Sequence, residues 1–246
     1  MSTDKKVAFI TGGNRGIGLQ TALDLGKQGV VVVIGARQPE RATDALAQLR
    51  QAGVEAEVIA YDAARPETDQ GVFAYLDKRW GRLDILVNNA GESREDPFAG
   101  PNAATVPEGV LRGTFETNFF AVVRLTQALL PLLRRSAAGR IVNVSSILGS
   151  LTLHSDPKSP IASAKALAYN ASKTALNAFT IHLASQLADT PIKVNSAHPG
   201  WVKTALGGEQ APVEVADGAR TSVGLALLDA QGPTGGFFYE GNPLPW

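Results

Sequence analysis

Tyr169 and Lys173 stand four residues apart in a stretch with helical character, so their side chains share one helix face. That spacing has a chemical use. A phenol with a pKa of about 10 is a poor acid–base catalyst at neutral pH, and a neighbouring ammonium stabilises the phenolate and lowers that value. Tyr169 then reads as a proton donor to a carbonyl oxygen and Lys173 as the group that tunes it. Taken alone, the pair is better read as an exposed helix contact worth about a few tenths of a kcal/mol. A second stretch, "TGGNRGIG" from Thr11 to Gly18, follows the apolar run Val7 to Ile10. Gly12 lets the chain reverse there, and Gly16 and Gly18 let backbone and helix approach a pyrophosphate without a Cβ in the way. By itself this could also be a tight turn.

The elements that must position these residues alternate regularly. Strand candidates are Val7 to Ile10, Val30 to Ile34, Val54 to Ala60, Leu83 to Val87, Arg140 to Val144, Ile192 to Ala197 and Gly235 to Tyr239. Most are continuously apolar, as parallel strands buried on both faces should be. Helix candidates lie between them near Gly16 to Gln28, Pro39 to Gln51, Pro66 to Trp80, Pro107 to Arg135, Ala168 to Leu187 and Pro212 to Leu228. This alternation predicts an α/β fold, a doubly wound parallel sheet of the Rossmann type, with residues 1–246 forming a single domain. The irregular stretches Glu92 to Val106, Gly149 to Lys165 and Lys203 to Pro212 all follow strand C-termini, the side where such sheets bind ligands.

Four motifs in order resemble the short-chain dehydrogenase/reductase family: the T-G-x-x-x-G-x-G loop, "NNAG" (Asn88 to Gly91), "IVNVSS" (Ile141 to Ser146) and "YNASK" (Tyr169 to Lys173). The resemblance extends to "GPTGGFF" near the end. "TNFF" (Thr117 to Phe120), "VNVSS" and "PGWVKT" (Pro199 to Thr204) look most like the NADPH-dependent carbonyl reductases. The resemblance implies that Ser146, which precedes Ile147, Leu148 and Gly149, is the catalytic serine, donating to the substrate oxygen as charge develops there. Ser145 reads as a buried, backbone-bonded neighbour. It also implies that Asn118 holds a water linking the lysine to bulk, and that Lys173 bonds the nicotinamide ribose. Ile147, Leu148 and Trp201 are expected beside the substrate together with Ser146 and Tyr169.

An acidic residue at the end of the second strand would select NAD by accepting from the ribose 2′-OH. Here that strand ends in Gly35, Ala36 and Arg37. Arg15, Arg37 and, if its helix turns it inward, Arg41 could clamp a 2′-phosphate, so the expected cofactor is NADP(H). The family pattern adds Asn14 and Ile17 in the loop, Asp62 and Ala63 flanking the adenine, and Asn89 beside its ribose. It further adds Ala90 and Gly91, and the segment Pro199, Gly200, Val202 and Thr204 reaching the nicotinamide. Its hydride chemistry would belong to the nicotinamide.

With 23 basic and 23 acidic residues the formal net charge is zero, so no global field attracts nucleic acid or an anionic membrane. Without cysteine there is no disulfide, thiolate metal site or cysteine nucleophile. No apolar run reaches the roughly 18 residues of a membrane span, and Met1 to Lys6 does not read as a signal peptide; a cytoplasmic protein is expected. The three histidines, His154, His182 and His198, are scattered, so no metal is expected. His182 is read as structural and His198 as packing near the cofactor without acid–base work. The charged stretch Glu92 to Asp96 is read as a solvated loop edge, with Glu92 a lesser candidate for the substrate rim. In many family members the helix near Ala168 pairs with the Pro107 to Arg135 helix of a neighbouring subunit. That makes a homo-oligomer, dimer or tetramer, an expectation, weakened if the Gly149 to Lys165 loop covers those helices. The loop is long, since Ser146 and Tyr169 lie 23 positions apart, and its prolines and serines argue against a regular helix. The leading reading is reversible reduction of an aldehyde or ketone by NADPH. A 3-oxoacyl-thioester reductase and a non-catalytic NADP-binding redox sensor are the alternatives.

Overall fold

A computed structural model describes residues 5–96, 99–100 and 102–246. The start of the chain discussed above, and positions 97, 98 and 101 in the stretch after the fourth strand, lie outside the described residues. Eight strands form one sheet: β1 (Val7–Thr11), β2 (Val31–Ala36), β3 (Ala56–Ala60), β4 (Ile85–Asn88), β5 (Arg140–Val144), β6 (Lys193–Ala197), β7 (Phe237–Tyr239) and β8 (Asn242–Pro243). Their order is β3-β2-β1-β4-β5-β6-β7-β8. All neighbours pair in parallel except β8, which returns antiparallel along β7. The order reverses between β1 and β4, which opens a crevice at the strand C-termini. The expected doubly wound α/β sheet is what the chain forms.

Period-two alternation inside continuously apolar strands explains the layers. Ala8 and Ile10 of β1 join a core with Val32, Ile34, Val87 and Val142 on one face, while Val7 and Phe9 join Val31, Val33, Leu86 and Ile141 on the other. The first face is covered by α1 (Gly16–Lys27), α2 (Thr43–Gln51) and, further along the chain, the pair α8 (Val215–Gly218) and α9 (Arg220–Ala226). The second is covered by α3 (Glu67–Trp80), α5 (Ala121–Leu133) and α7 (Leu167–Gln186), with α4 (Glu108–Phe115) leading into α5 and α6 (Leu151–Ser155) preceding α7. Arg140, 2% exposed, begins β5 and donates to the carbonyls of Gly139, Pro191, Leu228 and Asp229, tying the lower edge of the sheet to the end of α9.

Three local expectations need correcting. The long helix from Pro107 to Arg135 is broken at Glu116–Phe120 by a π turn, where Ala121 N–H bonds the Glu116 carbonyl; such wide turns cluster at functional sites. The helix expected from Pro212 to Leu228 is two short ones, because Val213 first forms a bridge with Val202. The Gly149 to Lys165 stretch does contain a helix, α6, because the Ser150 hydroxyl accepts from Leu153 N and caps it. Beyond β8, Trp246 stacks on Phe237 with centroids 5.6 Å apart, and its carbonyl accepts from Thr152 N at 2.8 Å. No helix among the described residues is long and apolar enough to cross a membrane.

Candidate active site

The crevice is laced together from below. Thr11 Oγ accepts from the backbone N–H of Asn89 (3.0 Å) and Ala90 (2.9 Å), and the Asn89 amide donates to the carbonyls of Thr11 (2.8 Å) and Gly12 (3.3 Å). Thr11 thus joins the two strands flanking the reversal point. Asn89, expected beside a ribose, spends its amide N–H groups on the glycine loop. Gly12 and Gly16 have φ of 63° and 52°, the left-handed region that glycine alone enters cheaply. Gly18 is needed for another reason than expected. A Cβ there would lie 2.4 Å from the Gly12 carbonyl oxygen, so this glycine lets α1 pack on its own loop. Arg15 precedes α1 in an extended conformation and offers no side-chain cap, which leaves the amides at this positive helix end available to an anion. Asn14 and Ile17 are half-buried around this turn.

Thr11 pairs with Gly35 and Ala36 with Ala60, so Arg37 and Asp62 leave adjacent strands on the same edge of the sheet. Arg15, Arg37 and Arg41 are exposed, and among the described residues nothing bonds their side chains. Arg41 belongs to the turn Pro39–Ala42 that precedes α2 and is not turned inward. Asp62 Oδ1 caps Ala64 N (3.1 Å), and the Ala63 carbonyl accepts from Arg124 (2.8 Å). Arg124, on α5, also holds Asp69 (2.6 Å) and Glu116 (3.0 Å); nothing in its surroundings in the sequence marks it as the brace of this turn. Two uncommitted guanidiniums at the strand ends, two left-handed glycines and an open helix N-terminus fit a phosphorylated dinucleotide. No carboxylate ends β2 to prefer a free 2′-OH.

Ser146, Tyr169, Lys173 and Asn118 come together on the other side of the crevice. Ser146 follows β5, accepts from Leu148 N (3.1 Å) and stands beside the Tyr169 phenol, whose pKa it lowers. Gly149 lets this turn sit against α7, since a Cβ would lie 2.8 Å from the Lys173 backbone. Lys173 Nζ lies 5.7 Å over the Tyr169 ring and donates to the Val144 carbonyl (2.9 Å). Burial lowers its pKa to about 8. Burial pushes the Tyr169 phenol up, and the Ser146 hydrogen bond pulls it down. Ser145 is buried, its N–H bonded to the Ala197 carbonyl, as the sequence suggests.

Asn118, fully buried in the π turn, is completely engaged. Its Oδ1 accepts from Glu92 N (2.9 Å), and its Nδ2 donates to the Glu92 carbonyl (2.8 Å) and to Ser172 Oγ (3.0 Å). The side chain therefore clamps the loop after β4, and any water it holds must bond elsewhere in the turn. That loop is no solvated edge either: Glu92 accepts from Thr117, and Glu95 from Tyr169 N and Asn102. Ala90 and Gly91 lie between the clamp and Lys173; a Cβ on Gly91 would stand 3.4 Å from Lys173 Nζ.

On the remaining side, His198 is buried and neutral. Its pKa is pushed down to about 4 by burial, and Nδ1 accepts from Ile147 N (3.2 Å). It therefore props the turn after Ser146 and is no acid–base group. Pro199 and Gly200 (φ 86°) follow it, and Val202 is buried. Thr204 accepts from Gly207 N (3.1 Å) and lies close to Gly16. Trp201 is 45% exposed and donates to the Gly207 carbonyl (2.7 Å). Leu148 is tied to the insertion, since its carbonyl lies 3.0 Å from His154 Nε2. His154 Nδ1 meets Lys165 Nζ at 3.0 Å, which fixes the imidazole as the neutral Nε2–H form. His182 is exposed on α7.

A crevice at the reversal point of a parallel sheet, with a glycine loop on one side and a Ser–Tyr–Lys group on the other, defines a dinucleotide-dependent oxidoreductase. Residues 6–214 match the family model described as short chain dehydrogenase, and the chain belongs to that family. It is 32% identical over 284 residues to human carbonyl reductase (NADPH) 1, covering 100% of both chains. It is 37% identical over 207 residues to a putative ketoacyl reductase of Streptomyces coelicolor, covering 82% of this chain and 73% of that one. Among solved structures, NADPH-bound carbonyl reductase from chicken fatty liver superposes with a TM-score of 0.84 at 27% identity, covering 98% of this chain and 99% of that one.

Proposed function

We propose that this protein is an NADP(H)-dependent carbonyl reductase that converts an aldehyde or ketone to an alcohol, reversibly, in a single unit spanning residues 1–246. The observation that carries the reading is the Ser146–Tyr169 hydroxyl pair with the Lys173 ammonium over the ring. When bound, the nicotinamide supplies the hydride. Tyr169 donates its phenolic proton to the carbonyl oxygen, and Ser146 Oγ hydrogen-bonds that oxygen as charge builds there. Lys173 commits one of its three N–H donors to Val144 and keeps the others for ribose hydroxyls, while its charge stabilises the phenolate left behind. Asn118 keeps the loop after β4 closed against α7. Arg15 and Arg37, and more weakly Arg41, take the 2′-phosphate. The amides after Gly12, with Asn14 and Ile17, take the pyrophosphate. Asp62 and Ala63 border the adenine, Asn89 to Gly91 the ribose, and Pro199 to Thr204 the nicotinamide. Ile147, Leu148 and Trp201 border the substrate.

The relatedness to a ketoacyl reductase keeps a 3-oxoacyl thioester as the second substrate class. A purely sensory role fits poorly, because a protein that only binds has no use for the paired hydroxyls. The absence of cysteine fits a cytoplasmic enzyme. Initial rates with NADPH and NADH across small aldehydes, bulky ketones and 3-oxoacyl thioesters test the reading. Oxidation of NADPH, with slower oxidation of NADH, is expected for at least one carbonyl class. NADPH binding without turnover on any class contradicts it.

A further inference from the structure

The helix that carries Tyr169 does not cap itself. Ala166 stands at the N-cap of α7 and has no side-chain acceptor, although the first amides of a helix need partners. The loop after β4 supplies them. Asn102 Oδ1 accepts from Leu167 N (3.0 Å), Glu95 Oε2 accepts from Tyr169 N (2.8 Å), and Glu95 Oε1 accepts from Asn102 Nδ2 (2.5 Å). The carboxylate also meets the positive end of the helix, where a negative charge is favourable.

The Tyr169 carbonyl is held as firmly as its N–H. Ser172 Oγ donates to it at 2.7 Å and accepts from Asn118 Nδ2 at 3.0 Å. Asn118 grips the backbone of Glu92 on both sides. Ser93 Oγ then donates to the Glu95 carbonyl at 2.9 Å and accepts from its N–H at 3.3 Å. The two lines close a ring that runs from Asn118 through Glu92, Ser93 and Glu95 to Tyr169, and back through Ser172. Both peptide groups of the tyrosine are fixed by it.

We propose that Glu95 is a positioning residue for Tyr169: its carboxylate, by closing this ring on the Tyr169 N–H, sets where the phenol stands relative to Ser146 and Lys173. The inference rests on Tyr169 being the proton donor. A displacement of an angstrom at a reacting group costs on the order of a hundred-fold in rate, and a half-released helix turn moves less than that. Glu95→Ala should therefore lower kcat about ten-fold, with KM for the carbonyl and Kd for NADPH within two-fold of wild type. Glu95→Gln keeps an oxygen able to accept the Tyr169 N–H and should recover kcat to within about three-fold. If Glu95→Ala does not fold, Glu95→Asp, which withdraws the carboxylate by one methylene, should show the same kcat loss with unchanged NADPH affinity. Wild-type kcat in the alanine or aspartate variant, equal losses in the alanine and glutamine variants, or a loss confined to KM or to cofactor affinity would each overturn the proposal. Tyr169→Phe is measured alongside. If it is inactive while Glu95→Ala is normal, only the positioning role fails; if it turns over, Tyr169 is not the acid and both readings fall.

Discussion

The two sides of the crevice are built on opposite plans. After β1 and β2 the charged side chains Arg15, Arg37 and Arg41 are exposed and uncommitted among the described residues. After β4 and β5 the polar groups of Asn118, Ser146, Tyr169 and Lys173 are buried or half-buried and already bonded to one another or to backbone. A group that must recognise a charged ligand keeps its hydrogen bonds for that ligand. Groups that must not reorganise during a reaction are satisfied beforehand by their surroundings. The fold thus separates binding, left open, from chemistry, fixed in advance.

The largest effect expected from this division is on the fixed side. Lys173→Met should lower turnover at least about a hundred-fold, as removal of acid–base machinery does, and yet raise Tm, because a buried ammonium is replaced by an apolar chain of similar length. At about 2–4 °C per kcal/mol for a protein of this size, the rise should be readable by thermal melting; a fall in Tm would mean that the Val144 hydrogen bond outweighs the burial cost. On the open side, Arg37→Asp removes a phosphate donor and adds an acceptor for a 2′-OH. The NADPH-over-NADH ratio of kcat/KM should drop about ten- to a hundred-fold with little change in Tm, and equal use of both cofactors by the wild type would remove the basis of this prediction.

The pH dependence sharpens the same contrast. Lys173 is charged below about pH 8 and neutral above it, so kcat/KM should fall as pH rises through that value, by up to about ten-fold per pH unit. Its folded pKa lies below the unfolded lysine value of about 10.4, so this group's contribution to stability improves from about pH 8 to 10.4. The Tm advantage of Lys173→Met should shrink over that interval. The smallest effect belongs to the insertion. His154→Ala unties the Leu148 carbonyl from Lys165 and should change the bulky-to-small substrate ratio by only about two- to five-fold, with a loss of about 1 kcal/mol in stability. An unchanged ratio would make the insertion a surface loop with no part in selection.

Much of this arrangement is legible along the chain because it is local. The strand runs carry both core faces in their alternation. The glycine loop lies directly between β1 and α1, and Tyr169 and Lys173 are one helical turn apart. What escapes the sequence depends on contacts between distant segments. Glu95 looks like any loop carboxylate until Tyr169 N, 74 positions on, is found against it. Thr11 looks like the end of a strand until Asn89 and Ala90 bond its hydroxyl. The π turn around Asn118 is hidden in the sequence, since a single widened turn leaves the helical pattern on either side of it continuous. Ser150 as a helix cap was readable in principle, but Pro157 and Pro160 close behind it pointed to an irregular loop.

The separation of open binding from fixed chemistry is tested most directly by Tyr169→Phe, measured twice on one preparation: NADPH affinity by cofactor fluorescence, and turnover with the best carbonyl substrate. The substitution removes one proton and one oxygen and leaves the arginines, the glycine loop and the Lys173 ammonium in place. The predicted result is an NADPH Kd within about two-fold of wild type and turnover reduced at least about a hundred-fold. Turnover above a tenth of wild type, or loss of NADPH binding together with activity, would contradict the account.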